Sequence, residues 1–178
     1  MIKHPWHEAP IGQNPPEFVN GIVEISTGMR TKYEVDKETG LLKLDRILYS
    51  AVYYPANYGF IPQTLGDDHD PLDIMILCRE AIQPLCLVPA RVIGVMRMID
   101  QGLGDEKILA VAEDDVNMKH INDISELAPH FKLELKEFFE SYKKLENKVV
   151  IVPDFQGKEM AMQLITKAVD TYKANYKK

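Results

Sequence analysis

The stretch that decides the fold is Gly66-Asp-Asp-His-Asp-Pro-Leu-Asp-Ile-Met-Ile-Leu77. It starts as an acidic loop, with Asp67, Asp68, Asp70 and Asp73 inside seven residues, and ends as the apolar run Ile74 to Leu77. Pro71 disfavours the α region at the residue before it, which keeps the loop out of a helix. A short apolar run bounded by turn residues reads as a buried strand. The junction therefore sets concentrated negative charge at the mouth of a strand that enters a core. Two carboxylates about 4 Å apart repel by roughly 4 kcal/mol at an effective dielectric near 20. Such a cluster calls for protons or cations to neutralise it. Oxygen-only donors favour hard cations, Mg²⁺ or Mn²⁺ ahead of zinc or copper. A solvated acidic loop capping a strand is the plainer alternative. An EF-hand fails on position: counted from Asp68, Asp73 falls where Gly is needed and Arg79 where Glu is needed.

Working outward, the chain is strand-rich first and helical last. Phe18 to Ile25 alternates and then runs apolar, as a strand does. Lys32 to Asp36 and Leu41 to Leu48 flank the turn Lys37-Glu38-Thr39-Gly40 and read as a hairpin. Ala90 to Ile99 and Ile108 to Ala112 are β-branched and apolar, joined by a glycine-containing turn from Asp100 to Lys107. Phe131, Leu135, Phe138, Phe139, Tyr142 and Leu145 then recur at helical spacing. Val149 to Val152 reads as a short strand. Ala161, Leu164, Ile165, Ala168 and Tyr172 mark a last amphipathic helix. The expected fold class is α+β with a mainly β core: one domain over residues 1–178, a small antiparallel barrel followed by two helices.

Global properties narrow the function classes. A chain of 178 residues can bury a real core as one domain. A net charge of −6 argues against a dedicated nucleic-acid binder, which would carry a basic face. No apolar run approaches the ~20 residues of a membrane span, and the start of the chain lacks the apolar core of a signal peptide. Cys78 and Cys86 form neither a CxxC pair nor a zinc spacing and are expected to be buried free thiols. A cytoplasmic location follows as the expectation. The arm from Met1 to Pro16 suggests no role.

The remaining charged groups supply the other half of a site. Lys32 and Glu34 lie two apart and share a strand face, with Arg46 on the return strand. Taken alone, these are equally well surface pairs across a hairpin. Asp100 and Asp105 flank two glycines, and Lys107 follows. Tyr142 lies on the apolar stripe of its helix beside Lys143. The conjunction carries more than any part. Carboxylates can hold hard metal ions, while cations and tyrosine hydroxyls can hold phosphoryl oxygens. That is the equipment for metal-assisted hydrolysis of a phosphoric anhydride. No Walker A loop, Gly-x-Ser-x-Gly elbow or His-Glu-x-x-His segment is present, so a covalent nucleophile has no sequence support.

At these residues the sequence resembles a known family. Asp68-His-Asp70-Pro-Leu-Asp73-Ile looks like the Asp-x-Asp-Pro-hydrophobic-Asp-hydrophobic signature of the family I soluble inorganic pyrophosphatases, prokaryotic type. Lys32 to Gly40, Leu44-Asp45-Arg46 and Tyr54-Pro-Ala-Asn-Tyr-Gly59 resemble further segments of that family, as do Asp100 to Lys107 and Tyr142-Lys143. His69 departs, because the family often has Gly there. The resemblance runs from about Glu24 to the last helix and implies a five-stranded OB-like barrel with flanking C-terminal helices. It implies hydrolysis of pyrophosphate to two orthophosphates by a metal-activated water. Asp68, Asp73, Asp100 and Asp105 would hold several Mg²⁺ ions, with Mn²⁺ as a substitute. Asp70 would be the general base. Lys32, Arg46, Tyr58, Lys107, Tyr142 and Lys143 would bind phosphate groups, supported by Glu24, Glu34 and Tyr54. Partners would be pyrophosphate and further copies of the chain, a homohexamer, with no nucleic acid and no membrane. Two other readings stay open on the residues alone: an oligonucleotide-binding barrel, and a metal-dependent phosphohydrolase acting on nucleotides or other phosphates.

Overall fold

The computed structural model describes residues 4–177. A short helix α1 (Pro5–Glu8) precedes strand β1 (Phe18–Ile25). Strands β2 (Thr31–Val35) and β3 (Leu42–Ile47) form a separate hairpin; β4 (Asn57–Phe60), β5 (Asp73–Leu77) and β6 (Leu87–Met96) follow. Two short strands, β7 (Ile99–Asp100) and β8 (Leu103–Gly104), lead into β9 (Lys107–Ala112). The chain ends with α2 (Pro129–Ser141), β10 (Val150–Ile151), β11 (Phe155–Gly157) and α3 (Lys158–Tyr176).

Strands β1, β4, β5, β9 and β6 are neighbours in that order, and β6 pairs back onto β1. The sheet thus closes into a five-stranded barrel, which removes the free edges a sheet of this size would expose. The expected all-antiparallel pairing is wrong at one position. β5 and β9 run parallel, with Ile74 opposite Ile108 and Leu77 opposite Val111. The cause is an insertion. After β6 the chain reverses through β7 and β8, and β9 slots between β6 and β5 rather than outside them. Two reversals return it to the direction of β5.

Alternate side chains of the parallel pair go opposite ways, as a period of two requires. Met75, Leu77, Leu109 and Val111 join a buried cluster with Leu135, Phe138 and Phe139 of α2. Ile74, Ile76, Ile108 and Ala110 join one with Ala161 and Ile165 of α3. Both faces are covered, so the sequence reads as a continuous apolar run instead of an alternation.

Several boundaries differ from the sequence expectation, each for a local reason. The strand expected over 90–99 runs instead over Leu87–Met96, and Arg97 N–H turns aside to Asp154 O at 3.0 Å. The α2 stripe stops at Tyr142, whose N–H closes the last turn on Phe138 O. A tight turn follows with Asn147 at φ 58°, and Leu145 is left exposed. β4 and β11, at four and three residues, are too short to read from pattern. Cys86 is exposed and Cys78 half-buried, so the expectation of two buried thiols is corrected; both lie beyond the ends of β strands.

The N-terminal arm also folds. Its first three residues lie outside the described ones, but α1 buries Trp6 against Ile22, Phe60, Leu65 and Tyr172. No described helix is long and apolar enough to cross a membrane.

Gly59 sets how closely β4 lies on β1. A Cβ there would sit 1.8 Å from Ile22 O and 2.9 Å from Val23 Cα, both backbone atoms that cannot swing away. Gly59→Ala is therefore expected to cost about 2–3 kcal/mol through forced backbone shift. A denaturant midpoint unchanged from that of the parent chain would contradict this.

Candidate active site

The barrel end where β5 and β9 begin opens into a polar cavity of about 370 Å³. Parallel register puts Asp73 and Lys107, each one residue before the pair Ile74–Ile108, side by side at that end. Lys107 Nζ pairs with both Asp73 and Asp105, and only 2% of the residue is exposed. Asp105 reaches the same ammonium because the β7–β8 excursion returns beside it, with Asp105 N–H held by Met98 O at 2.9 Å. Asp100, at the end of β7, pairs with Lys143, just past α2. Asp68 and Asp70 come from the loop before β5. Asp70 N–H bonds Asp68 Oδ1 at 3.1 Å, and Gly66 N–H bonds Asp70 O at 2.7 Å. From the hairpin, Lys32 and Glu34 face the cavity and pair with each other. Tyr58 of β4 and Tyr142 complete the lining.

Twelve of the fourteen residues singled out from the sequence thus line one cavity. Arg46 and Tyr54 do not. Arg46 Nε donates to Glu146 Oε1 at 2.8 Å, and its Nη1 pairs with Asp45. Its Nη2 is buried without a partner. Tyr54 is fully buried beneath the lining, its ring 5.3 Å from that of Tyr58 and 4.8 Å from that of Phe138. Asp67 turns outward to Lys167 of α3 at 2.8 Å. His69 is exposed at φ 66°, a left-handed conformation that favours glycine and strains a side chain.

Sequence reasoning missed Lys37, His4 and Trp6, which also line the cavity. Lys37 was read as a turn residue, yet it pairs with Asp70 across the mouth. The one available signal for the arm was that the chain's only tryptophan lies in it, between two histidines.

The electrostatics follow from burial. Seven carboxyl groups, Glu24, Glu34, Asp68, Asp70, Asp73, Asp100 and Asp105, face four lysines in this space. Burial raises the Asp73 carboxyl above its ordinary range, against the pull of Lys107. Burial alone would lower the Lys107 ammonium, but Asp73 and Asp105 outweigh it and hold the charge on. Burial, reinforced by Asp105 and Asp100, keeps the Tyr142 hydroxyl protonated far above neutral pH; burial and Asp73 do the same for Tyr58. Both tyrosines are therefore hydrogen-bond donors. Glu24, 8% exposed, is pushed by burial up to about 8 although its Oε1 accepts from Val35 N–H at 2.6 Å.

Among the described residues no trio of His, Cys, Asp or Glu side chains converges tightly enough to hold an ion as arranged. Lysines stand between the acids instead. The donor set nonetheless suits hard cations: it is all oxygen, it outnumbers the lysines, and Asp100 Oδ1 is buried with no partner. A closed barrel bearing such a site, with lysines and tyrosine donors opposite carboxylates, has the chemistry suited to a small phosphate polyanion together with hard metal ions.

Comparison with known proteins gives the family. Residues 21–173 match the family model described as inorganic pyrophosphatase. Soluble inorganic pyrophosphatase 1 of Arabidopsis thaliana is 52% identical over 97% of this chain and 81% of its own length. Soluble inorganic pyrophosphatase 2 of Chlamydomonas reinhardtii is 49% identical, over 97% of this chain and 90% of its own. The crystal structure of the Thermus thermophilus inorganic pyrophosphatase superposes with a TM-score of 0.91 at 37% identity, covering 94% of this chain and 98% of that one. The chain belongs to the inorganic pyrophosphatase family, which implies a divalent metal cofactor.

Glu24 predicts a pH dependence of stability in metal-free protein. Below its ordinary value of 4.5 the carboxyl is protonated in both folded and unfolded chains. Between 4.5 and about 8 the unfolded chain loses the proton while the buried carboxyl keeps it, so its contribution to stability falls as pH rises. Glu24→Gln keeps an acceptor for Val35 N–H and removes the titration. With a chelator present, its melting temperature is expected to match the parent's at pH 4.5 and to exceed it at pH 8.5. Equal differences at the two pH values would refute the assignment.

Proposed function

We propose that the cavity where β5 and β9 begin is the active site of this chain's pyrophosphate hydrolysis, with Mg²⁺ as its metal. The activity itself follows from the family and from relatives about half identical in sequence: the chain hydrolyses inorganic pyrophosphate to two orthophosphates. The observation that carries the site is the opposition in one cavity of surplus carboxylates, one with a buried unpartnered oxygen, to lysines held charged and tyrosines held protonated.

Asp68, Asp73, Asp100 and Asp105 would hold the divalent ions. When bound, these lower the pKa of coordinated water and neutralise charge on phosphoryl oxygens. The oxygen-only set supports Mg²⁺, with Mn²⁺ as a substitute. Cations would free Lys107 and Lys143 from their present carboxylate partners to bind phosphate oxygens, alongside Lys32 and the Tyr58 and Tyr142 hydroxyls. Arg46, on the strand residue opposite Lys32, would join them on leaving Asp45 and Glu146. In the reaction, a water oxygen bonds to one phosphorus as the bridging P–O bond breaks. The bridging oxygen leaves with the second phosphate, and Asp70 takes the water's proton. What supports this role is a short carboxylate on the loop that also carries Asp68, one of the proposed metal ligands. Lysines and arginine stabilise the charge that develops on the leaving phosphate. Glu24, Glu34 and Tyr54 support these groups. A homohexamer in the cytoplasm, without nucleic-acid or membrane partners, is the setting we propose; light scattering tests the oligomer.

Asp70→Asn should keep fold and metal binding while turnover drops by about 10²–10⁴-fold, the usual worth of a general base. Parent-like turnover at saturating Mg²⁺ would remove Asp70 from that role. Phosphate release from pyrophosphate should far exceed that from ATP or a phosphomonoester in the same buffer. Comparable rates on ATP would favour a broader phosphohydrolase.

A further inference from the structure

The N-terminal arm has no counterpart in the chemistry described above, yet it touches two walls of the cavity. Trp6, 3% exposed, donates its indole N–H to Thr64 O at 2.8 Å, and its own carbonyl accepts from Gln63 N–H at 2.8 Å. Thr64, fully buried, ties both ends of the acidic loop: its Oγ1 donates to Ile61 O at 2.6 Å and accepts from Leu72 N–H at 2.9 Å. That loop carries Asp68 and Asp70. On the other wall, His4 Nε2 lies 3.2 Å from Asp36 O, while His4 Nδ1 accepts from Trp6 N–H at 3.2 Å. The two bonds together require the Nε2–H tautomer, which donates to Asp36. Asp36 precedes Lys37, whose ammonium reaches Asp70. The arm is anchored behind by α3, where Tyr176 lies 5.6 Å from the Trp6 ring and the Tyr172 hydroxyl bonds His7 Nδ1 at 2.8 Å.

We propose that residues 4–9 form a positioning strap for the active site: Trp6 fixes the acidic loop, His4 fixes the β2–β3 turn, and together they set the width of the cavity mouth between Asp70 and Lys37. The inference rests on the assignment of this cavity as the active site. Trp6 and His4 touch no reacting atom. They act by holding the two walls at one separation, and positioning errors of this kind are felt in substrate and metal affinity.

The full-length chain carries the test. Trp6→Phe keeps ring packing and removes the indole donor; His4→Ala opens the clasp on Asp36. Each is expected to raise KM for pyrophosphate or the Mg²⁺ concentration for half-activation by about threefold or more, at a temperature where circular dichroism shows it folded. Leu127→Ala, beside the separate apolar cavity near Ala56 and Phe131, is the control. It should lower the melting temperature and leave both constants alone. Trp6 is the only tryptophan, so its emission should also shift when Mg²⁺ and inorganic phosphate are added to the parent chain. A silent emission, constants within threefold in both variants, or an equal shift in Leu127→Ala overturns the strap; should Trp6→Phe fail to fold, His4→Ala decides. Asp70→Asn in the same assay separates the two claims. Parent-like turnover there sinks the site assignment, whereas an inactive Asp70→Asn beside unaltered strap variants sinks the strap alone.

Discussion

The parallel register of β5 on β9 is the constraint on which the site depends. It sets Ile74 opposite Ile108 and so puts Asp73 and Lys107 at one end of the barrel. Antiparallel pairing of the same strands would send one of the two charges to the far end, some five residues or about 17 Å away at ~3.3 Å per residue. The remaining site groups hang from this pair. Asp105 follows because it is two residues before Lys107, and Asp68 and Asp70 because their loop must end at Asp73. Tyr58 follows because β4 is antiparallel to β5, with Phe60 beside Asp73 and Tyr58 two residues further along. The barrel is rigid there, both neighbours of the pair being wholly buried, so the loops above inherit a fixed frame.

The frame makes an expensive arrangement tolerable. An unpaired charge as buried as Lys107 is strongly disfavoured, and removing one partner of such a pair commonly costs about 3–5 kcal/mol. Sharing one ammonium between Asp73 and Asp105 neutralises it twice over but leaves each acid half-matched. The same mismatch recurs at Asp100, where one oxygen meets Lys143 and the other meets nothing. Charges arranged this way are poorly satisfied without further cations and well satisfied with them. On the proposed reading, cations held by Asp73, Asp100 and Asp105 would leave Lys107 and Lys143 to a polyanion. The proposed metal and substrate groups would then share one ion-pair network, in which acids and lysines alternate through the cavity instead of segregating.

How much of this was legible in the sequence depended on whether the information was local. The junction of the acidic loop with Ile74–Leu77 announced a buried strand and a cation-seeking mouth, because both rest on neighbouring residues. Lys32 and Glu34 could be placed on one face by period alone. The parallel insertion of β9 could not be read, since nothing in Ile108–Ala112 records whether it pairs inside or outside β6. β4 escaped because Asn57–Phe60 is four residues long and contains the glycine that its close approach to β1 demands. Leu145 misled because helical spacing continued for one residue past the turn that ends the helix. Arg46 shows a different limit. Pattern put it on the return strand of the hairpin, where it pairs with Lys32, but its side chain is drawn to Glu146, a hundred residues on, and no local rule reports such a partner.

The hairpin of β2 and β3 is the least self-sufficient part of the site. It is a two-stranded ladder outside the barrel, with no fully buried residue in either strand. Isolated hairpins are marginal in water, so its position comes from clasps to the rest of the molecule. Leu48 N–H to Arg30 O closes its base, the buried Glu24 carboxyl grips Val35 N–H, and His4 holds Asp36 O at the tip. Each clasp belongs to a different element: the hairpin's own strand ends, β1 and the N-terminal arm. Lys32, Glu34 and Lys37 therefore stand on a flap whose order is set by the barrel and the arm together, while Asp73 and Lys107 stand on strands of the barrel itself. On the proposed reading, a site divided this way would hold Asp73 and Lys107 in place and let Lys32 shift with a substrate as it enters and as two products leave.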